Sequence, residues 1–279
     1  MNQQKNSILA VCFIFLTSLI VTSCYEHEKG CRDINALNFS VSADEDCDNN
    51  CCNYPNVEFL VNFVYKNSVV DTNKYFPLSD GDSIRLQSAK IFFSDFSFTD
   101  KSGNLEPVEY TNLLGINSNG GTEYNEINSS IIKVKPQNSK YVAGTLKKLI
   151  QTNKLTFQLG LNDVVNYAAN DKVTTSSPLY YKSTDSMFVD NNQGYYFFKI
   201  NLQDKKNPSN LKKIVSLKPP QNISFTFYSE FNFLSRQTHQ IKLNIDLEKL
   251  FSEIHLSESH LTIRDKILKN FVSSVSLEE

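Results

Sequence analysis

The stretch VEFLVNFVY, Val57 to Tyr65, puts an apolar side chain at every second position: Val57, Phe59, Val61, Phe63 and Tyr65. Side chains alternate between the two faces of an extended chain, so these five share one face and describe a strand half buried against a core. The same period returns in KLTFQLGL (Leu155, Phe157, Leu159, Leu161), in NISFTFYS (Ile223, Phe225, Phe227) and in HQIKLNIDL (Ile241, Leu243, Ile245, Leu247). Turn-forming clusters separate the runs: LSDGDS, TDKSGN, NSNGG, DNNQG and KPPQN. Many short strands with frequent breakers predict an all-β fold, an antiparallel β-sandwich. Strands and helices do not alternate, which argues against a parallel nucleotide-binding sheet. Two helices are expected. A short one falls in YVAGTLKKLI, Tyr141 to Ile150. A C-terminal one falls in SESHLTIRDKILKNFVSSV, with Leu261, Ile267, Leu268, Phe271 and Val275 as the stripe on the sandwich and Ser257 or Ser259 as N-cap.

The N-terminus carries a different signal. Lys5 precedes the apolar run ILAVCFIFLTSLIV, Ile8 to Val21. At about 1.5 Å per residue it reaches about 21 Å, short of the roughly 30 Å hydrocarbon core of a bilayer. A cleaved signal segment over residues 1–23 is the expected reading. The run ends in VTSC, Val21 to Cys24, which resembles the bacterial lipobox; Cys24 is then the lipidated first residue of the mature chain. Burying acyl chains at about 0.8 kcal/mol per CH₂ anchors a protein stably when there is more than one.

Cys12 leaves with the signal segment, and Cys31, Cys47, Cys51 and Cys52 remain, all in the segment 24–55. A clustered, even set in an exported chain predicts two disulfides. Cys51 and Cys52 are adjacent, so each is expected to pair with Cys31 or Cys47. Closing a loop of about 15 residues contributes roughly 3 kcal/mol in the chain-entropy model, enough to order a segment without a core of its own. The run GCRDINALNFSVSADEDCDNNCCNYP resembles a cysteine motif of exported Bacteroidota proteins, matching it at Cys31, Asp33, Ala36, Asn38, Phe39, Cys47, Cys52 and Tyr54. Asp33, Asp44, Glu45, Asp46 and Asp48 offer oxygens of the kind calcium takes, in a spacing that is not an EF-hand loop. Zinc on four thiolates conflicts with the oxidising compartment.

The chain of 279 residues has 28 basic and 30 acidic side chains and a pI near 6.1, which leaves no electrostatic footprint for nucleic acid. Its Lys-Lys pairs (Lys147-Lys148, Lys205-Lys206, Lys212-Lys213) read as solvated surface. G-x-S-x-G, H-E-x-x-H, Walker A and dinucleotide motifs are absent, so no enzyme is expected. His27, His239, His255 and His260 are scattered; the last two are five apart and do not sit side by side on a helix.

Taken in order, several stretches over residues 57–275 resemble the MbnP-like family, exported β-rich proteins named for a methanobactin-associated copper protein. The matches are Phe93-Ser94-Asp95 with Gly103, then Phe157, Gly160 and Asn166 in LTFQLGLNDVVN, then SPLYY (Ser177–Tyr181). IKLNIDLEKLF follows, and DKILKNFVSSV supplies a closing helix with an Asn. The family signature, roughly M-[YF]-W-x-W-x-[ST]-G-Y-x-x-F-K, falls on SMFVDNNQGYYFFKIN. Met187, Phe188, Gly194, Tyr195, Phe198 and Lys199 match, and the four aromatics from Tyr195 are expected to form one strand covered on both faces. Val189 and Asn191 stand where the two tryptophans would be, and the chain has no Trp. In the copper-binding relatives the metal is held by imidazoles and an oxidised tryptophan derivative. That derivative cannot form here; Val189 has no donor atom and Asn191 is a weak ligand for soft copper. The resemblance thus implies the fold for residues 56–279 more than the metal.

The expected function is a lipid-anchored outer-membrane protein, facing the periplasm or the cell surface, with a non-enzymatic binding or structural role. Its ligand or protein partner is unspecified, and no copper or calcium is resident. Glu26, Glu28 and Lys29 behind Cys24 favour the cell surface. The alternative is a metal-handling protein using His239, with His255, His260 or Met187. A hydrolase site assembled only in three dimensions is a third reading. Asp82-Ser83-Ile84 and Asp185-Ser186-Met187 resemble Bacteroidota O-glycosylation triplets.

Overall fold

The computed structural model describes residues 26–48, 51–118, 121–136, 140–181, 187–209, 211–234 and 236–278. The signal run, the lipobox with Cys24, and Asp185-Ser186 lie outside the described residues. The chain divides into two compact units, Met1–Asn53 and Tyr54–Glu279.

In the first unit, disulfides join Cys31 to Cys52 and Cys47 to Cys51. A short parallel ladder pairs Lys29–Gly30 with Glu45–Asp46. Asp33 Oδ1 accepts the backbone and side-chain amides of Asn35, both at 2.9 Å, closing a turn. The side chain of Asn38 bridges the carbonyl of Cys51 and the amide of Asn53, each at 2.8 Å. Two motif residues are therefore turn-builders. The acidic residues are also dispersed: Asp48 pairs with Lys29 at 3.0 Å and Asp44 accepts the amide of Glu28 at 3.1 Å. Among the described residues the only cluster of three or more ligand-type side chains is Cys47, Cys51 and Cys52, and both disulfides have consumed its thiolates. Asp33, Asp44, Glu45, Asp46 and Asp48 form no such cluster among the described residues.

The second unit is a two-sheet sandwich. The 18-residue strand Ser83–Asp100 organises the larger sheet, pairing antiparallel with Ile150–Leu159, Phe198–Asp204 and Ile131–Val134. Ser224–Phe233 and Leu211–Ser216 extend this sheet. The smaller sheet runs Lys140–Thr145, Asn56–Tyr65, His239–Asp246, Val275–Leu277. Every pair in it is antiparallel except one: His239–Asp246 lies parallel to Asn56–Tyr65, His239 opposite Val57. The first and last long strands of the sandwich are neighbours.

Alternation dictates what fills the space between. Val57, Phe59, Val61 and Phe63 are buried, as their period requires. Phe59 of the smaller sheet meets Phe96 at 4.4 Å between centroids. Phe96 stacks on Phe157 at 4.9 Å, and Phe157 stacks on Phe225 at the same distance. Each such ring contributes about 1.5–3 kcal/mol by burial, and each favourable ring pair about 0.5–1.5 more.

Three readings of the sequence change. Tyr141–Ile150 forms no helix: Lys140–Thr145 is a strand zipped to Asn56–Leu60, with Gly144 at φ +150° in a bulge. Tyr141 and Val142 favour a pleated ladder once a partner strand is present. The aromatic run at 195–198 is not one strand. Gly194–Tyr195 pairs with Phe188–Asp190, and a separate strand, Phe198–Asp204, enters the main sheet. The C-terminal helix, His260–Ser274, is capped by Ser259 Oγ, which accepts the Thr262 amide at 3.1 Å. Its buried face is Ile263, Ile267 and Phe271, the last 5.4 Å from Phe198; Leu261 is exposed and Val275 begins a strand. Asn270 donates to the carbonyls of Leu250 and Ser252, tying this helix to the end of Leu247–Leu250. Among the described residues no helix is long and apolar enough to cross a membrane.

Phe157 packs against five rings, those of Phe59, Phe93, Phe96, Phe225 and Phe227, so Phe157→Ala should cost about 3–5 kcal/mol. Urea denaturation followed by circular dichroism checks this; a loss under 1 kcal/mol would contradict the packing described.

Candidate binding cleft

A second, smaller apolar cluster lies apart from the inter-sheet core, built on Phe92, Leu114, Ile131, Leu161, Leu179, Met187, Tyr195 and Phe197. The family signature folds into it. What holds it there begins at Asp95. That residue has φ +57°, uncommon for a non-glycine, at a point where the ladder to Ile150–Leu159 shifts register. Its amide donates to Ser130 O at 2.9 Å. Its carboxylate accepts from Ser129 Oγ at 3.0 Å, from Asn162 Nδ2 at 2.9 Å and from Gln158 Nε2.

Asn162 passes the constraint on. Its Oδ1 accepts the Val165 amide at 3.0 Å and caps the short helix Asp163–Asn166. That helix delivers Asn166, wholly buried, whose Oδ1 accepts the Tyr195 amide at 3.0 Å. Gly194 lies so close that a Cβ would stand 2.5 Å from the Asn166 carbonyl oxygen, and its φ is +72°. Gly160 plays the same part beneath Phe197: a Cβ there would fall 1.9 Å from the ring, at φ +88°. Only glycine meets both demands. The Tyr195 hydroxyl donates to Leu179 O at 2.7 Å and accepts from Asn170, and burial pushes its pKa well above the usual phenol value. Met187 is buried, and its carbonyl accepts the Tyr196 amide at 2.8 Å. The matched signature residues are therefore packing and backbone devices. Lys199 sits further on, opposite Lys90, its pKa lowered by burial and then by Lys213.

Over this floor opens a cleft of about 510 Å³. Phe188, Tyr181 and Tyr124 supply aromatic walls, with Tyr181 and Phe188 edge to face at 5.6 Å. Tyr124 donates to Asp171 at 2.6 Å, which raises its pKa. Val189 and Asn191, at the two tryptophan positions of the signature, both line this cleft. Asp190 accepts the amides of Asn192 and Gln193, both at 2.8 Å, and so shapes the turn. Tyr124, Asn162, Asn170 and Asp171 were not singled out by the sequence; Asn162, immediately before DVVN, carries an N-cap signal that makes it findable.

The histidines lie elsewhere. His239 is buried at the start of its strand, its ring 4.7 Å from Phe233. Burial lowers its pKa, and among the described residues its Nε2 has no hydrogen-bond partner. Phe233 packs on Phe98 at 4.6 Å, whereas Tyr195 packs on Phe92. Phe92 and Phe98 are six residues apart on one strand, on the order of 20 Å at about 3.3 Å per residue. The structure thus does not bring His239 to the signature. His255 pairs with Asp80 at 2.8 Å on the surface, and His260 is the first residue of the C-terminal helix. Among the described residues, His239, His255 and His260 join no cluster of three His, Cys, Asp or Glu side chains.

Gly194→Ala should destabilise by about 2–4 kcal/mol, combining positive-φ strain with overpacking. Asn191→Ala, on the cleft wall, should stay within about 0.5 kcal/mol. Denaturant midpoints for both variants check the contrast; equal midpoints would show that the glycine is not under this constraint.

Comparison with known proteins follows the geometry. A search of curated proteins found no match. Among solved structures, MbnP from Methylosinus trichosporium aligns with a TM-score of 0.41 and 15% identity, covering 70% of this chain and 77% of that chain. The family described as MbnP matches residues 54–267, most of the chain and nearly all of its second unit. On that match, the chain belongs to the MbnP family.

Proposed function

We propose that this chain is a lipid-anchored cell-envelope protein whose MbnP domain works without copper, in a non-enzymatic binding or structural role. The observation that carries the reading is the state of the signature. The two positions that are tryptophan in the family pattern are Val189 and Asn191, they line the cleft, and His239 is not among the residues lining it but packs on Phe233. A site for soft copper needs several nitrogen or sulfur donors converging on one point. Val189 supplies none, Asn191 supplies an amide, and Met187 is enclosed in the small core. What the cleft offers instead is three aromatic walls with carboxylate and amide groups at the rim, a surface suited to holding a polar ligand by stacking and hydrogen bonds.

The anchor rests on the sequence: the apolar run Ile8 to Val21, the small residues Thr22 and Ser23, and Cys24. The disulfide-closed segment behind Cys24 suits an exported chain, because both bridges need an oxidising compartment. Outer-membrane residence, in either orientation, follows from the same reading.

Two measurements separate the parts. Mature protein treated with Cu(I) and desalted should retain well under one equivalent of metal; a full equivalent would overturn the copper-free reading and favour a metal-handling protein. Growth with labelled palmitate should label the wild-type chain and not Cys24→Ala. An unlabelled wild-type chain released into the periplasm would remove the anchor while leaving the domain reading untouched.

A further inference from the structure

A different cleft opens where the two sheets come closest along their edges. Ile131–Val134 belongs to the larger sheet, Lys140–Thr145 to the smaller, and residues 175–178 border both. The hollow measures about 510 Å³. Lys133, Lys135 and Lys140 line it, together with the hydroxyl-bearing residues Tyr110, Thr175 and Ser176.

The charges in it do not balance. Lys140 has Glu58 at 2.8 Å, and Glu58 also accepts from Gln240. Among the described residues no other ion pair brings a carboxylate to a lysine of this cleft. Lys133 donates to the Pro178 carbonyl at 2.7 Å and lies 5.9 Å over the Phe92 ring, two partners that carry no net charge. Burial, and then Lys135, push Lys133 down to about 8. Lys90, on the neighbouring strand, is buried and pushed down to about 8 as well, by burial and by Lys199, Lys135 and Lys133. Lys90 and Lys199 are directly opposed across the ladder. Withdrawing the Lys133 ammonium from water beside Lys135 is costly.

We propose that this cleft binds an oxyanion group, a phosphate or sulfate carried on a larger polar molecule. An oxyanion lodged between Lys133 and Lys135 would lower the mutual repulsion, and ammonium and hydroxyl donors suit its oxygens. The cleft is far larger than one oxyanion, and Tyr110, Thr175 and Ser176 would contact the rest of the ligand. This site shares no residue with the aromatic cleft and is independent of the copper-free reading.

The test is calorimetric titration of the mature, detergent-solubilised protein with glucose 6-phosphate, inorganic phosphate and glucose. Glucose 6-phosphate should bind saturably, and Lys133→Gln and Lys135→Gln should each weaken it tenfold or more. Inorganic phosphate binding as tightly would uphold the oxyanion site and assign the free ion as its ligand. Glucose binding alone, absence of binding by both phosphates, or phosphate binding unchanged in both variants would each overturn the proposal. Lys135→Gln leaves the Lys133 contacts with Pro178 and Phe92 in place and guards against misfolding at Lys133, and unchanged near-ultraviolet dichroism confirms that each variant is folded.

Discussion

Three neutral donors converge on the carboxylate of Asp95, and the outer half of the second unit depends on that convergence. Ser129 comes from just before the strand Ile131–Val134, Gln158 from the main sheet, and Asn162 from the loop beyond it. Charge-assisted hydrogen bonds of this kind are individually worth more than neutral ones. Through the cap at Asn162 the constraint reaches Asn166, and through Asn166 it fixes Gly194 and Tyr195. Segments 30 to 100 residues apart are thus held in one register by a few side chains. The short pieces of strand there have little ladder of their own.

This changes what the family resemblance means. A signature is easily taken for a list of reactive groups. Here Met187, Gly194 and Tyr195 serve packing and backbone geometry, and Val189 and Asn191, at the two tryptophan positions of the pattern, are on the cleft wall. The residues that set the fold of the motif are thus distinct from the two that line the cleft, and a fold does not by itself fix a chemistry.

The strands with strict alternation, Val57–Tyr65 above all, were legible because one face is buried and one is not. The disulfide segment was legible as a unit, though spacing left the pairing open between Cys31 and Cys47. The strand at Lys140–Thr145 was misread as helix because its identity comes from a partner 80 residues earlier in the chain. Leu261 fits a helical stripe as well as Ile263 does; which of them is buried depends on where the helix docks. The parallel placement of His239–Asp246 beside Asn56–Tyr65 has no local signal, and it is what puts His239 far from the signature. The lysines of IIKVK were not singled out by the sequence. Only the fold shows that loop 175–178 and Phe92 close over one of them.

The relay from Asp95 to Tyr195 is most directly tested by native-state hydrogen exchange at the Tyr195 amide, compared between wild type and Asn162→Ala. Loss of a cap costs about 1 kcal/mol or somewhat more. The account predicts exchange at Tyr195 faster by about fivefold or more in the variant, with the Phe157 amide in the main sheet much less affected. Equal protection of Tyr195 in both proteins would contradict it.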